Sequence, residues 1–543
     1  MQQPEVGPSL LILTLLQLSN MSPSGYSTRR ATILCLFQSL AGLLFGWEQS
    51  SGSGLFNMQQ YSRRFGTCDD SGFCSMPTNR QSLITGILSI GAFIGALSAG
   101  PISGRIGLRT TCLIFIFSFM MGIAIECSAF QTYGQICVGR LFTGLGIGAT
   151  SGLVPVFQAE AAPPKYRGLI TGSFQLCITL GILFVNCANY GMSTHAGDIA
   201  FRLPIGIQLV WSAALFVGFL LSPESPKFLA YKGRWDEARK NLCILRGVKK
   251  DEGEAGGLID AEMEDIRYAK EQDDKRGEAK YSECFSMKDR ILWRTMIGVL
   301  IQIAQQVTGI NFFFSYGIQF ANAAGIDNTY VYQIILSSVN VVMSFPGLLA
   351  VDRLGRRDVL LWGAVIMFSG QIITGALSTA RPDQEAAGKA LIAFSCLFIA
   401  GFASSFGPLA WVVAAEVFPT RLANKCVTLA IAGNWGMNTI IAFVSPIVQE
   451  KIGTKITFVW AGFIAASFVF IFFCVPETKG LAIDEIDALF LSGTPAWRSK
   501  QFRRSQEAQE ILTSEKRRRN SGHHEKVAAS PTLESSRDSA SSV

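Results

Sequence analysis

Apolar runs of about 20 residues, the length that crosses a bilayer as an α-helix, recur along this chain from end to end. They fall at 31–53, 82–103, 111–130, 134–157, 169–190, 204–222, 291–320, 329–350, 358–379, 389–413, 426–448 and 456–475. The pattern predicts an all-α membrane protein with twelve transmembrane helices. A further run, Leu10–Leu18, is too short to span and lacks the basic leader and cleavage site of a secretory signal. Met21 is an alternative start that would leave that run unmade.

Basic residues between the runs set an orientation. Arg29 and Arg30 precede the first span, Arg105 and Arg109 lie between spans two and three, and Lys165 and Arg167 follow span four. A long charged stretch follows span six. Arg353, Arg356 and Arg357 follow span eight, and Arg421 and Lys425 follow span ten. All of these fall on one side together with both termini, and the opposite loops are sparser despite Arg63, Arg64 and Arg80. Positive charge stays inside, so both ends are expected in the cytosol.

Three features repeat about 250 residues apart, the internal symmetry many transporters carry. Ser103-Gly104-Arg105-Ile106-Gly107-Leu108-Arg109 matches Val351-Asp352-Arg353-Leu354-Gly355-Arg356-Arg357. Glu160 followed by Arg167 matches Glu416 followed by Arg421, and Pro223-Glu224-Ser225-Pro226 matches Pro476-Glu477-Thr478-Lys479. The chain therefore divides into a cytosolic segment 1–30, a six-helix half 31–222, a charged linker 223–290 with short helices, a second six-helix half 291–475, and a tail 476–543. The tail beyond about 492 is rich in Ser, Arg and Lys and is expected to be mostly disordered. Two such halves around a midplane site are the basis of alternating access, in which one half rocks against the other.

Composition agrees. Of the 543 residues, 49% are hydrophobic and only 16% are charged, against about 25% charged in soluble domains. Mean hydropathy is +0.32. The net charge of +7 resides in loops and tail, which fits cytosolic loops and not a nucleic-acid groove. Most cysteines sit inside apolar runs as small buried side chains. Cys68 and Cys74 share a polar segment after the first run, and a disulfide there is left open by spacing alone. Of the three histidines, His195 falls in an outer loop and His523 and His524 in the tail. With no phosphate-cradling glycine loop, metal-spaced cluster or nucleophile motif, neither enzyme chemistry, a cofactor nor a metal is expected.

The motifs then converge. Phe45-Gly46-Trp47-Glu48 lies in span one, Gly139-Arg140 opens span four, and Val154-Pro155 with Glu160 and Arg167-Gly168 closes it. Gln175 lies in span five, Pro223-Glu224-Ser225-Pro226-Lys227 follows span six, and Gln305-Gln306-Val307-Thr308-Gly309-Ile310-Asn311 lies in span seven. Gly407-Pro408 with Trp411 lies in span ten, and Pro476-Glu477-Thr478-Lys479-Gly480 follows span twelve. In this set and order the chain resembles the sugar porter family of the major facilitator superfamily, most closely its fungal hexose-transporter-like members, over about residues 31–490. It departs from the family at Gly104, where a loop acid is usual, at Leu108, where an arginine is usual, at Lys227, and at Ser315-Tyr316, where two tyrosines are usual; the resemblance implies that this last change puts a small hydroxyl at one sugar-lining position.

The resemblance implies a small neutral solute, a hexose or another sugar or polyol, carried across the plasma membrane by a monomer. Sugar hydroxyls both donate and accept hydrogen bonds, as amides do. Amides inside spans are costly unless they face a partner or a cavity. Gln175, Gln305, Gln306, Asn311, Asn340, Asn434 and Asn438 all lie within spans. The family lines its site at Gln175, Gln305, Gln306 and Asn311; Asn340 and Asn434 are placed with them, and for Asn438 interhelical bonding is an equal reading. Trp411, after a bend at Gly407-Pro408, and Phe45 supply apolar walls. Thr308-Gly309 marks a second weak point suited to a gating helix. No basic cluster accompanies the amides, which argues against an anionic solute.

Glu48 and Arg140 lie inside spans and are expected to pair. The resemblance places an Asp at Glu48 in proton-coupled members, which favours sugar/proton symport over facilitated uniport. Arg105, Arg109, Arg353, Arg356 and Arg357 are expected to pair with Glu160, Glu224, Glu416 and Glu477 as a cytosolic latch, with Arg167 and Arg421 part of the same gate. A non-transporting sugar sensor of the same fold is the competing class.

Overall fold

Helix ends and helix breaks position the site. The computed structural model describes residues 29–504, apart from 131, 162–166, 249–252, 278, 381–384, 420 and 482. The run Leu10–Leu18, Met21 and the tail beyond 504 lie outside the described residues.

Eleven apolar helical stretches long enough to cross a membrane occur among the described residues. The last, Ala423–Cys474, has 52 residues, which would extend about 78 Å as one helix, over twice the roughly 30 Å hydrocarbon core. It is two helices, α19 (Ala423–Ile452) and α20 (Ile456–Cys474), folded over a short turn at Gly453–Lys455. Gly453 makes that turn with φ of 60°. The architecture is thus consistent with twelve crossings.

The first crossing is built of α1 (Arg29–Gln38) and α2 (Leu40–Leu55). A short helix α3 (Gln59–Phe65) and a two-stranded hairpin, β1 (Thr67–Cys68) and β2 (Cys74–Ser75), follow. Cys68 and Cys74 face each other in that hairpin and are disulfide-bonded. Next come α4 (Thr78–Ile106), α5 (Leu108–Cys127), α6 (Tyr133–Ala161) and α7 (Arg167–Met192), then the sixth crossing as α8 (Ile199–Gly206) and α9 (Gln208–Leu221). The linker carries α10 (Pro226–Tyr231), α11 (Trp235–Arg246) and α12 (Gly253–Arg276). The seventh crossing is α13 (Ile291–Val307) plus α14 (Ile310–Ala323), the eighth α15 (Thr329–Leu354), the ninth α16 (Arg356–Ala380). The tenth is α17 (Glu385–Ser404) plus α18 (Phe406–Val417). After the twelfth, α21 (Ile483–Ser492) and a 3-10 turn at Ala496–Arg504 occupy the start of the tail.

Without a hydrophobic drive between helices in lipid, close packing depends on small residues. Gly91, Gly95, Gly144 and Gly148 bring α4 and α6 together; a Cβ on Gly148 would stand 1.9 Å from the Ala92 carbonyl oxygen. Gly42, Gly46 and Gly181 do the same for α2 and α7. The two sets of six meet along three seams: α2 with α14, α4 with α19, and α7 with α15.

The breaks have local causes. Gly309 adopts a φ of 85° and parts α13 from α14, at the Thr308-Gly309 step singled out from sequence. The tenth crossing breaks at Ser405, three residues before the expected Gly407-Pro408 bend would end. Pro408 lacks an N–H and its ring crowds the carbonyl four residues back, so the distortion falls upstream of the proline. The linker is tied to the tenth–eleventh loop by Arg421, whose guanidinium contacts Glu283 at 2.5 Å.

Two outcomes follow. Gly148→Val should destabilise the purified protein by about 1–3 kcal/mol through overpacking, whereas Gly104→Ala, where a Cβ meets nothing within 4 Å, should leave the thermal midpoint in place. The hydrogen bond from Arg421 holds the Glu283 carboxyl below the ordinary glutamate range. A lowered carboxyl contributes stability above its unfolded value and loses it as pH falls through the folded one. Limited proteolysis of the linker should therefore accelerate only on acidification below the ordinary glutamate range, and Glu283→Gln should show the fast rate already at pH 7.

Candidate solute-binding site

The break in the seventh crossing turns a row of amides toward the eleventh. Gln302, Gln305 and Gln306 share one face of α13, being three and four residues apart. Asn434 on α19 donates through Nδ2 to Gln302 Oε1 at 2.7 Å and to Gln305 Oε1 at 2.9 Å. Gln306 Nε2 donates to Asn434 Oδ1 at 2.7 Å, and Asn311, just past the break, donates to Gln306 Oε1. Gln305 Nε2 donates to the carbonyls of Phe406 and Gly407, both at 3.0 Å. Those two carbonyls lie at the first turn of α18, so the amide row ties the seventh, tenth and eleventh crossings together.

The first half contributes less densely. Gln175 Nε2 lies 3.5 Å from where a Cβ on Gly407 would stand. Phe45 packs on Trp435 of α19 with ring centroids 5.1 Å apart, and Trp435 Nε1 donates to Ser151 of α6 at 3.2 Å. Trp411 is partly buried against the core. Asn340 and Asn438 are buried, and Asn340 Oδ1 and Asn438 Nδ2 have no hydrogen-bond partner among the described residues. The structure thus joins Gln305, Gln306, Asn311 and Asn434 directly, sets Gln175 and Phe45 across from them, and shows no bond linking Asn340 or Trp411 to the row. Gln302 and Trp435 were missed; Gln302 was detectable from its helical spacing to Gln305 and Gln306.

On the side away from the linker, the first and seventh crossings are stitched together. Gln49 Nε2 donates to Ser315 Oγ at 3.1 Å and Ser315 Oγ donates to the Gln49 carbonyl at 3.1 Å. Ser50 Oγ donates to the Phe314 carbonyl at 3.1 Å, Ile318 N to Ser53 Oγ at 3.2 Å, and Asn322 to Asn57 at 3.0 Å. The serine at 315, expected to line the sugar, is spent in this seam, where a small hydroxyl lets two helices approach closely.

Glu48 and Arg140 pair as expected, with Arg140 Nη1 2.8 Å from Glu48 Oε1 and both side chains buried. Glu48 also accepts from Gln208 Nε2 at 2.9 Å and Thr143 Oγ1 at 3.3 Å. Sequence reasoning missed a third charge, Glu126, whose Oε2 lies 3.2 Å from Arg140 Nε. An acid within the third apolar run was a readable signal.

The residues expected to form a latch pair differently. Among them Arg356 and Glu416 form an ion pair, at 2.9 Å. Glu224 and Glu477 instead accept backbone N–H groups: Arg109 N to Glu224 at 3.1 Å, Arg356 N and Arg357 N to Glu477 at 2.9 and 3.2 Å. A carboxylate is favoured at a helix N-terminus, where unpaired N–H groups and the helix dipole both attract it. The Arg109 and Arg357 side chains bond the carbonyls of Phe219 and Phe472, at 2.9 and 2.8 Å. Glu160 accepts from Ser225 Oγ, and Glu416 from Thr478 Oγ1. Arg105 and Arg353 are exposed, and the Arg167 side chain lies outside the described residues. These bonds join helices within one half and not across the halves. Leu108 is buried where Arg356 stands in the second half, so the first half has an apolar side chain at that place.

Comparison with known proteins agrees with this geometry. The family model "Sugar (and other) transporter" matches residues 34–490. Hexose transporter 2 of Kluyveromyces lactis is 34% identical over 497 residues, covering 90% of this chain and 87% of that protein. Hexose transporter HXT10 of Saccharomyces cerevisiae is 33% identical, covering 86% of each chain. Among solved structures, the proton:xylose symporter XylE bound to 6-bromo-6-deoxy-D-glucose superposes with a TM-score of 0.71 at 22% identity, covering 86% of this chain and 100% of that one. The XylE of Escherichia coli in a partially occluded inward open conformation gives 0.67 at 22% identity. With a family model spanning its membrane region and relatives at this identity over most of its length, the chain belongs to the sugar transporter family and is not an enzyme.

Proposed function

We propose that this protein carries a hexose across the plasma membrane by proton symport, with both termini in the cytosol. The observation that carries the sugar reading is the amide row Gln302, Gln305, Gln306, Asn311 and Asn434 at a break in two helices. Each amide both donates and accepts, so the row can trade its internal bonds for bonds to sugar hydroxyls without leaving a polar group unpaired in an apolar surround. The curated relatives bear hexose and glucose names, which supports a hexose over a polyol. Each chain holds both halves and the whole row, so a monomer suffices.

The bonds between residues 49–57 and 314–322 support a state sealed on the side away from the linker. Opening that seam while the linker side closes is the alternating step. Within each half, the carboxylates at the N-termini of α5 and α16 keep the helix ends rigid while the halves rock.

The Glu48–Arg140 pair supports the coupling. Glu48 is the counter-ion of Arg140 in this state and is hydrogen-bonded by Gln208; when the guanidinium moves away, a proton takes its place, so that no bare charge is left in the apolar surround. Facilitated uniport is the alternative, with the same pair as a fixed structural link.

Labelled glucose uptake in cells lacking their own hexose transporters tests both parts. The wild type should accumulate glucose above equilibrium and lose that accumulation with a protonophore, and Glu48→Gln should only equilibrate it. Asn434→Leu should reduce uptake at least tenfold at unchanged surface expression. Equilibrating wild-type uptake indifferent to protonophore would replace symport with uniport.

A further inference from the structure

Arg140 meets two carboxylates, and the coupling step described above uses only one. Glu126 sits in the last turn of α5 with a fully buried side chain, and its Cγ packs where Gly139 leaves no room for a Cβ, 2.4 Å away. The two acids are dressed unequally. Glu48 accepts from Arg140, Gln208 and Thr143. Glu126 has a charge contact with Arg140 Nε at 3.2 Å that does not meet hydrogen-bond geometry, and the one hydroxyl beside it, Thr143 Oγ1, lies between the two acids and donates to Glu48.

The groups around Glu126 leave its charge poorly matched. Facing it are Glu48 on α2, Tyr61 on α3, Arg140 and Cys137 on α6, and Cys127 on its own helix. Arg202 on α8 lies beyond Cys127 and is paired with Asp198 at 3.2 Å. Arg140 is therefore the one guanidinium inside the cluster among the described residues. Two ionised carboxylates sharing it would leave a net negative charge in an apolar surround, and like charges this close do not both ionise.

We propose that Glu126 and Glu48 share one proton, that Glu126 carries it in the state described here, and that Arg140 selects between them. When the guanidinium swings fully onto Glu126, the Glu126 O–H bond breaks and that proton passes to a Glu48 oxygen. One O–H bond is broken and one formed, so the cluster stays neutral throughout. Glu126 is then the waiting counter-ion that lets Arg140 leave Glu48 without either charge standing alone. Its role in coupling rests on the symport reading; the shared proton does not.

Infrared difference spectroscopy of the purified protein in lipid nanodiscs at neutral pH reads the proton directly. The wild type should show the carbonyl stretch of one protonated buried carboxyl that is missing from both Glu126→Gln and Glu48→Gln, because with one acid removed the other pairs with Arg140 and ionises. Glu126→Asp should keep the band, which separates loss of the proton from loss of the fold. A wild type without that band, or a band that persists in Glu126→Gln, would overturn the proposal. The uptake pH profile reads the coupling role. Without Glu126 no second acid draws Arg140 off Glu48, so the Glu126→Gln profile should move at least about one unit toward acid, a tenfold change. An equal fall at every pH would make Glu126 purely structural. Wild-type uptake indifferent to protonophore would sink the symport reading and the coupling role with it, leaving the shared proton to stand or fall on the infrared band.

Discussion

A polar group inside a bilayer must find its partner within the protein, because neither lipid nor water will supply one there. That constraint organises this structure more than any apolar contact does. Leucine and phenylalanine are as content against lipid as against each other, so they set the length of the helices and little of their arrangement. Arg140 has to lie beside Glu48, Glu126 and Ser51, which fixes α2, α5 and α6 around one point. Asn434 has to lie beside Gln302, Gln305 and Gln306, which fixes α13 against α19. Glycines then allow the approach that these bonds demand.

The two halves solve the same end problem in the same way. Gly107 and Gly355 adopt φ of 97° and 104°, and a Cβ at either would run into the carboxylate of Glu224 or Glu477, at 2.3 and 2.4 Å. Each glycine thus opens space for an acid to reach the N–H groups that begin the next helix. The charge of the neighbouring residue is a secondary matter: Leu108 and Arg356 occupy matching places, and only the second recruits Glu416.

Much of this was legible in the residues. Span positions, the repeat, the weak point at Thr308-Gly309 and the Glu48–Arg140 pairing all follow from the cost of charge and backbone in an apolar medium. What was not legible is partner choice. Arginine near glutamate suggested side-chain ion pairs, but Glu224 and Glu477 found helix N-termini, which sequence presents as unremarkable backbone. Ser315 looked like a change in the sugar site, yet it is bonded across the first–seventh seam, and only the depth of each helix shows that. Glu126 and Gln302 were visible as polar residues within apolar runs but needed a neighbour in space to acquire meaning. Residues 483–504, assigned from composition to the tail, form a helix and a turn that dock by Arg294–Asp487 and by Phe473 against Trp497.

In the proposed function one chain moves a hexose through the amide row by exposing it to each side in turn. Counterflow in proteoliposomes of the purified protein tests this without help from cellular metabolism or from any ion gradient. Vesicles loaded with unlabelled glucose should take up external labelled glucose transiently above equilibrium, and vesicles carrying Asn434→Leu should not. Wild-type vesicles that show no counterflow with glucose or any other monosaccharide, while the protein unfolds cooperatively on heating, would contradict it.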